Sequence, residues 1–250
     1  MRFIVYSSGY NCAEYIHRHL HSIQSQSYKN YIHIAVDDGS TDKTFELLKK
    51  YADYRTIVHR SPVNQRVAKG WIDFLKPETL KHEDEVVIWI GMDDWLYTDK
   101  AFEIINEIYE TKETWLTYGS FIYLSNPTRA LPIRGASRRE LAKRNFRAPP
   151  NESIWLYQPL QTFKAFLFNR VREEDFIGPG GEWIPSSNDR TLMYALLEMS
   201  PSNKIQYVND ILYVYNDHNP LCVHKSGRLQ EQIKYEYLAY SRSKYQILEK

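Results

Sequence analysis

The chain is poor in several things that would have assigned it to a special class. It has 2 cysteines in 250 residues, Cys12 and Cys222, and they form no C-x-x-C or metal-like spacing. That argues against a disulfide framework and a cysteine-ligated metal, and fits two free thiols in a reducing compartment. No run of about 18 apolar residues occurs, so no transmembrane span is expected. The opening MRFIVYSSGYN carries too short an apolar run for a secretory signal. Neither sign of charge dominates: a net charge of +1 gives no global attraction to nucleic acid or to an anionic membrane. Glycine is scarce at 10 residues, and SSGYNCAEY, after the first apolar run, holds one glycine and no base. A nucleotidyltransferase would want a glycine-rich, basic phosphate loop there. The expectation is a soluble, cytoplasmic protein, compatible with peripheral membrane association but not with nucleic acid as a partner.

What is present is ordinary globular material, 43% apolar and 25% charged, with 20 Tyr and 6 Trp. The first half alternates strand and helix patterns. Strand candidates lie at Arg2–Ser7, Tyr31–Val36, Thr56–His59, Val86–Ile90 and Trp115–Leu124. Between them run helical stripes: Ala13, Ile16, Leu20, Ile23; Phe45, Leu48, Tyr51; Val67, Ala68, Trp71, Ile72, Leu75; and Phe102, Ile105, Ile108. Ser40 or Thr41 is a candidate cap for the second helix and Thr98 for the fourth. Such alternation predicts an α/β fold with a mainly parallel central sheet flanked by helices, and ligands outside the carboxyl ends of its strands. The second half is less regular. Residues 125–151 read as a long excursion or lid, IQYVNDILYVYNDH as two short strands around a turn, and Leu229, Ile233, Tyr237 and Tyr240 as the packed face of a last helix.

Two strand candidates run straight into adjacent carboxylates: YIHIAVDDGSTD reaches Asp37–Asp38, and VVIWIGMDDWLY reaches Asp93–Asp94. Adjacent like charges resist leaving water, so donors or a cation should meet them. Mg²⁺ and Mn²⁺ take one or two carboxylates and fill their shells with phosphate oxygens and water. The simpler use of DDGSTD is to end a strand and cap a helix. That use suits MDDW less, because the apolar run before it and Trp95–Leu96 after it imply burial.

The stretch RFIVYSSGYNCAEYIHRHLHSIQSQSYKNYIHIAVDDGSTDKT resembles the opening of a family-2 glycosyltransferase with the GT-A, Rossmann-like fold, and GMDDW falls where such enzymes carry their metal-binding acidic motif. The resemblance covers roughly residues 2–125. It implies a single domain over residues 1–250: a nucleotide-sugar-binding half (1–125), an acceptor-binding half (126–225) and a C-terminal helix (226–250). It implies an inverting, metal-dependent glycosyltransferase of glycan or polysaccharide biosynthesis. The donor would be a nucleoside diphosphate sugar, UDP- or GDP-linked, the cofactor Mn²⁺ or Mg²⁺, and the acceptor a glycan or glycolipid hydroxyl. Carried over by position, Ser8 and Tyr10 line the base, Asp38 accepts from it and Asp37 shapes the same turn. Arg66 or Lys69, in NQRVAKGW, lies near the phosphates, where the chain departs from the family's Gly- or Asn-rich version. Asp94 binds the metal and Asp93 the ribose or donor sugar.

The general base in this family comes from an acidic pair at a helix start, matched here by PSSNDRTLMYALLE. Asp189 is the candidate; the first acid of the pair is replaced by Asn188. In isolation Asp189 reads as complementing the dipole of its helix, and the upstream motifs reverse that reading. His218 resembles the family's late histidine near the metal or diphosphate, with His224 a weaker alternative, and either could be a plain turn residue. Trp183 could stack on a sugar or pack in the core. The run Arg134–Arg147 holds six basic residues and one acid; with almost no aromatics for base stacking it reads as a solvated helix face or mobile loop, the other reading being a site for a phosphorylated lipid acceptor or nucleic acid. The rival functions are a sugar-phosphate nucleotidyltransferase and a non-catalytic carbohydrate-binding protein on the same fold.

Overall fold

A computed structural model describes residues 1–147, 149, 155–221 and 227–249. The expected alternation appears as β1 (Phe3–Gly9), α1 (Ile16–Gln24), β2 (Tyr31–Asp37), α2 (Thr44–Tyr51) and β3 (Thr56–Arg60). A helical stretch follows in three pieces: α3 (Val67–Gly70), a π-helical turn (Trp71–Leu75) and α4 (Lys76–Lys81). Pro77 stands at the start of α4, directly after the widened turn, where its missing N–H is tolerated. Then come β4 (Val86–Gly91), β5 (Trp95–Leu96), α5 (Ala101–Thr111), β6 (Leu116–Tyr123), β7 (Asn126–Leu131), α6 (Arg138–Lys143), β8 (Gln158–Lys164), α7 (Ala165–Phe168), α8 (Asn188–Met199), β9 (Ile205–Tyr215) and α9 (Leu229–Ser241).

The strands form one curled sheet in the order β3-β2-β1-β4-β8-β6-β9-β5, with β7 on β6. It is mainly parallel: β3-β2-β1-β4 and β6-β9 are parallel, and β8, β7 and β5 join antiparallel. Alternate residues of β1 serve two cores. Phe3 and Val5 pack with Ile23, Ile88, Phe102 and Ile105, while Ile4 and Tyr6 pack on the other face with Val36, Trp71, Leu75 and Val87. Full burial of such side chains contributes about 1.5–3 kcal/mol each. The register sets the site: Gly9 stands opposite Asp37, and Ser8 opposite Gly91. Both acidic doublets therefore leave the sheet at the same rim, flanking the end of β1.

Several local expectations are corrected. Residues 125–151 hold β7 and α6 among their described positions, because β7 pairs with β6 in a hairpin. The segment read as two short strands is the single strand β9; the polar pair Asn209–Asp210 sits where its register against β6 shifts, so the ladder bulges rather than turns. Neither Ser40 nor Thr41 caps α2; Asp42 Oδ1 accepts from Thr44 N, and Ser40 Oγ accepts from Asn11 N instead. The face of α9 is also reversed: Tyr235, Glu236 and Ala239 are buried, whereas Leu229 and Tyr237 are 53% and 48% exposed. Polar anchors orient this helix. Arg190 pairs with Glu236, and Arg147 donates to the carbonyls of Ala239 and Tyr240. Cys12 is a buried free thiol, and Cys222 and His224 lie outside the described residues. No helix among the described residues is long and apolar enough to cross a membrane.

Candidate active site

The turns after β1 and β2 interlock. Asn11, in left-handed backbone at φ 55°, accepts at Oδ1 from Thr41 N, and its own N–H donates to Ser40 Oγ. Cys12 N donates to Thr44 Oγ1 and Ala13 N to Asp42 Oδ2. These bonds explain why a Tyr-Asn turn and Asp-Asp-Gly-Ser-Thr-Asp occur together: each supplies the donors and acceptors the other lacks. Asp37 lies beneath this crossing, accepting from Ser40 N at 3.1 Å and pairing with Arg60 at 3.1 Å.

Asp38 reaches the opposite way. Its Oδ1 and Oδ2 accept from the main-chain N–H groups of Gln65 and Arg66, each at 2.9 Å, and burial raises its pKa. Gly39 makes this approach feasible: at φ +71°, a Cβ there would stand 2.3 Å from the carbonyl carbon of Val63. Arg66 itself has φ 78°, a conformation costing about 1–3 kcal/mol that the Asp38 bond helps to hold.

Asp94 is buried. Oδ1 accepts from Asn216 N at 2.7 Å and Oδ2 from the Tyr213 hydroxyl at 2.5 Å, while that hydroxyl accepts from Gly91 N at 3.2 Å. Asp93 Oδ2 accepts from Asn219 Nδ2 at 2.7 Å. Burial, and then the charge of Asp93, push the Asp94 carboxyl well above the usual carboxylate range; burial raises Asp93 too. The two carboxylates converge on a notch above Gly91. A Cβ added to Gly91 would lie 2.9 Å from Asp94 Oδ2 and 3.2 Å from Asp93 Oδ1. Two hard oxygens around a gap that only glycine leaves open fit a divalent cation whose remaining ligands are phosphate oxygens and water. Among the described residues no group of three acidic, imidazole or thiol side chains forms a closed metal cage.

One cleft of about 740 Å³ joins these parts to the start of α8. Its walls include Ser8, Tyr10, Asp38, Arg66, Asp93, Asp94 and Asp189. Asp189 sits in the first turn of α8, after Ser187 in left-handed backbone at φ 59°. Beside it, Arg190 Nη1 donates to Glu236 Oε2 at 2.9 Å and lies over the Trp155 ring. Burial, partly offset by Arg190, raises the Glu236 carboxyl, and the charge of Asp189 adds to the rise.

Three sequence candidates stand off these walls. Lys69 pairs with Asp73 and faces the ring of Trp183, which itself packs against the core. His218 is exposed on the turn after β9, where its main-chain N–H donates to Asn216 Oδ1 at 3.2 Å. Asp37 supports the turn from below. Conversely, Tyr213, Asn216 and Asn219, all within the YVYNDHN that contains His218, hold the Asp93–Asp94 pair, and nothing in the local sequence marks them. Trp155 and Glu236 also line the cleft unforeseen; neither follows a strand end or a motif that would have marked it.

Residues 8–169 match the model of glycosyl transferase family 2. The chain is 28% identical over 116 residues to the UDP-Glc:α-D-GlcNAc-diphosphoundecaprenol β-1,3-glucosyltransferase WfaP of Escherichia coli, covering 46% of this chain and 43% of that protein. It is 28% identical over 169 residues to an uncharacterized glycosyltransferase of Haemophilus influenzae, covering 67% and 66%. The chain thus spans less than two thirds of the length of these relatives. Among solved structures, S. aureus TarS 1–349 in complex with UDP-GlcNAc superposes with a TM-score of 0.60 at 18% identity, over 87% of this chain and 59% of that one. The Pyrobaculum calidifontis mannosyltransferase PcManGT, solved with GDP-Man and Mn²⁺, gives 0.56 at 16% identity, over 86% and 56%. These likenesses are of fold, and the fold is the GT-A fold. With the family model matching most of its length, the chain belongs to glycosyl transferase family 2.

Proposed function

We propose that this chain transfers a sugar from a nucleoside diphosphate sugar, UDP-linked, to a hydroxyl of a glycan or glycolipid acceptor, with inversion at the anomeric carbon. The observation that carries the reading is the presence of Asp38, Asp93, Asp94 and Asp189 on the walls of one cleft, at the rim where the parallel strands end. The UDP and UDP-GlcNAc complexes of the TarS neighbours and the donor in WfaP's name support the choice of donor.

In this reading Ser8, Tyr10 and Asp38 hold the nucleoside at one end of the cleft, with Asp37 bracing their turn, and Arg66 faces the phosphates. Lys69 and His218 reach the diphosphate only if their side chains swing from their present positions. Asp94 would hold Mn²⁺ or Mg²⁺, and the bound ion would neutralise charge on the departing diphosphate; Asp93, expected at the ribose or donor sugar, stands beside it at the Gly91 notch, where it can share the ion. Asp189 accepts the proton of the acceptor hydroxyl as that oxygen bonds to the anomeric carbon. The carbon–oxygen bond to the diphosphate breaks, and its electron pair leaves with the nucleoside diphosphate. Residues 1–125 bind the donor and the second half, with α9, the acceptor.

Asp189→Asn tests the assignment. It is isosteric, leaves Asp93 and Asp94 intact, and should cut turnover roughly 10²–10⁴-fold while nucleotide-sugar affinity stays within about twofold. Unchanged turnover would remove Asp189 from the reaction.

A further inference from the structure

The main chain that leaves the acidic doublet is bonded step by step to α1. His19 donates to the carbonyl of Asp94, Ser22 Oγ accepts from Leu96 N at 3.2 Å, and Gln26 Nε2 donates to the carbonyl of Thr98 at 2.7 Å. His19, Ser22 and Gln26, the last just beyond the end of α1, follow one another at helical spacing. Residues 94, 96 and 98 are alternate positions around the extended strand β5. Three or four helical residues rise about 4.5–6 Å and two extended residues about 6.6 Å, so the two segments keep step.

Gln26 is fully buried, and both ends of its amide are engaged. Nε2 also donates to the carbonyl of Ser22 at 2.9 Å, and Oε1 accepts from Phe102 N at 3.0 Å. Phe102 N is among the first N–H groups of α5, which have no partner within their own helix. Lys100, just before α5, has a side chain that can only donate. Thr98 Oγ1, the cap expected from sequence, accepts from Lys100 N instead. The start of α5 is thus capped by a glutamine 76 residues away.

The doublet is therefore held from two sides. Its carboxylates are met by the Tyr213 hydroxyl, Asn216 N and Asn219 Nδ2, and its outgoing main chain is met by α1. Two buried like charges repel, and a main chain free to move would let them part. A cation would then have to close the turn as it bound, and that ordering would be subtracted from its affinity. We infer that Ser22 and Gln26 are positioning residues for the cation: acting through the main chain of residues 94–102, they keep Asp93 and Asp94 converged on the Gly91 notch without the ion's help. This role rests on Asp94 as the cation's ligand, as proposed above.

The test follows Mn²⁺ binding in the presence of UDP by the loss of the free ion's electron paramagnetic resonance signal. The unmodified protein should bind one Mn²⁺ per chain. Gln26→Ala should weaken that binding roughly tenfold or more and Ser22→Ala severalfold, each still reaching one ion per chain at saturation. Ser22→Thr keeps a hydroxyl that can bond the carbonyl one turn back and accept from Leu96 N, and should stay within about twofold of the parent. If Gln26→Ala fails to fold, the Ser22→Ala and Ser22→Thr pair decides. Unchanged affinity in the alanine variants, fewer ions per chain at unchanged affinity, or equal losses in Ser22→Ala and Ser22→Thr would overturn the role. Mn²⁺ bound by the parent but indifferent to the variants removes the positioning alone. A parent that binds no Mn²⁺ removes the cation reading and the positioning with it.

Discussion

The ring Nδ1 of His19, on the buried face of α1, donates to the main-chain carbonyl oxygen of Asp94 across 2.8 Å. One imidazole thus ties the helix after β1 to the acidic turn after β4. Burial lowers the His19 pKa to about 4, and burial and then His19 lower that of its neighbour His33, whose Nε2 meets Ser7 Oγ at 2.7 Å.

The neutral form of His19 is thus favoured in the folded state, and the unfolded chain takes up its proton first. Stability should be unaffected by this group above pH 6.5 and should fall as pH drops from 6.5 toward about 4. The loss is on the order of 3 kcal/mol for His19 alone. His19→Asn, which keeps a donor at the Nδ1 position, should flatten that part of the curve in urea unfolding measured against pH. An unchanged slope would contradict the assignment.

Asp94 works with the opposite sign. Its folded pKa is raised, so its contribution is greatest below the unfolded value and is lost as pH rises through the folded value. Cation-free Asp94→Asn protein should melt higher than the parent at pH 7.5, about 2–4 °C for each kcal/mol relieved, with a smaller gain at pH 4. Cation-dependent nucleotide binding should disappear at the same time. A lower melting point at pH 7.5 would show that the carboxylate is not held at a cost.

Gly91→Ala addresses the notch itself. The added methyl would stand within 3.2 Å of both carboxylates, so the stabilising effect of Mn²⁺ with UDP-sugar should fall by at least tenfold in apparent affinity. Thermal shift with and without the cation reads this directly; an unaltered response would place the cation elsewhere.

The placement of α9 depends on a buried ion pair. Arg147 Nε and Nη2 meet Glu198 Oε1 and Oε2 at 2.6 and 2.8 Å, and Arg147 Nη2 also donates to the carbonyl of Ser243 at 3.2 Å. Arg147→Met leaves Glu198 buried and unpaired, and should cost about 3–5 kcal/mol by chemical denaturation. Adding Glu198→Leu should recover part of that loss, since the orphaned charge goes with it; no recovery would mean that the carbonyl contacts, not the ion pair, hold the helix.

The parts legible in sequence were those written in local pattern. VVIWIGM followed by DD reads as a buried strand ending in charge whatever surrounds it, whereas the Asn11–Thr41 contact joins two turns 30 residues apart and took the place of the helix cap expected of Ser40 or Thr41. The rest depends on distant partners. Strand β8 reads QPLQTFK, without an apolar run, because Thr162 is matched by Tyr109 and Thr117 hydroxyls in the core. His19 falls on the buried stripe with Ile16 and Ile23, yet its role follows from a carbonyl 75 residues away. The apolar residues Leu229 and Tyr237 of α9 face outward because the Arg190–Glu236 pair and the Arg147 bonds to the Ala239 and Tyr240 carbonyls turn the opposite face inward. Asn219 and His218 are neighbours on one turn, and only coordinates tell which faces Asp93.

The most direct measurement of the central claim is calorimetric titration of the protein with UDP-, GDP- and dTDP-sugars, each in Mn²⁺ and again after chelation. A cleft in which Asp38 and the Asp93–Asp94 pair act together predicts saturable binding of at least one donor that weakens tenfold or more when the cation is removed. Equal affinity with and without the cation, or no binding of any donor, would contradict it.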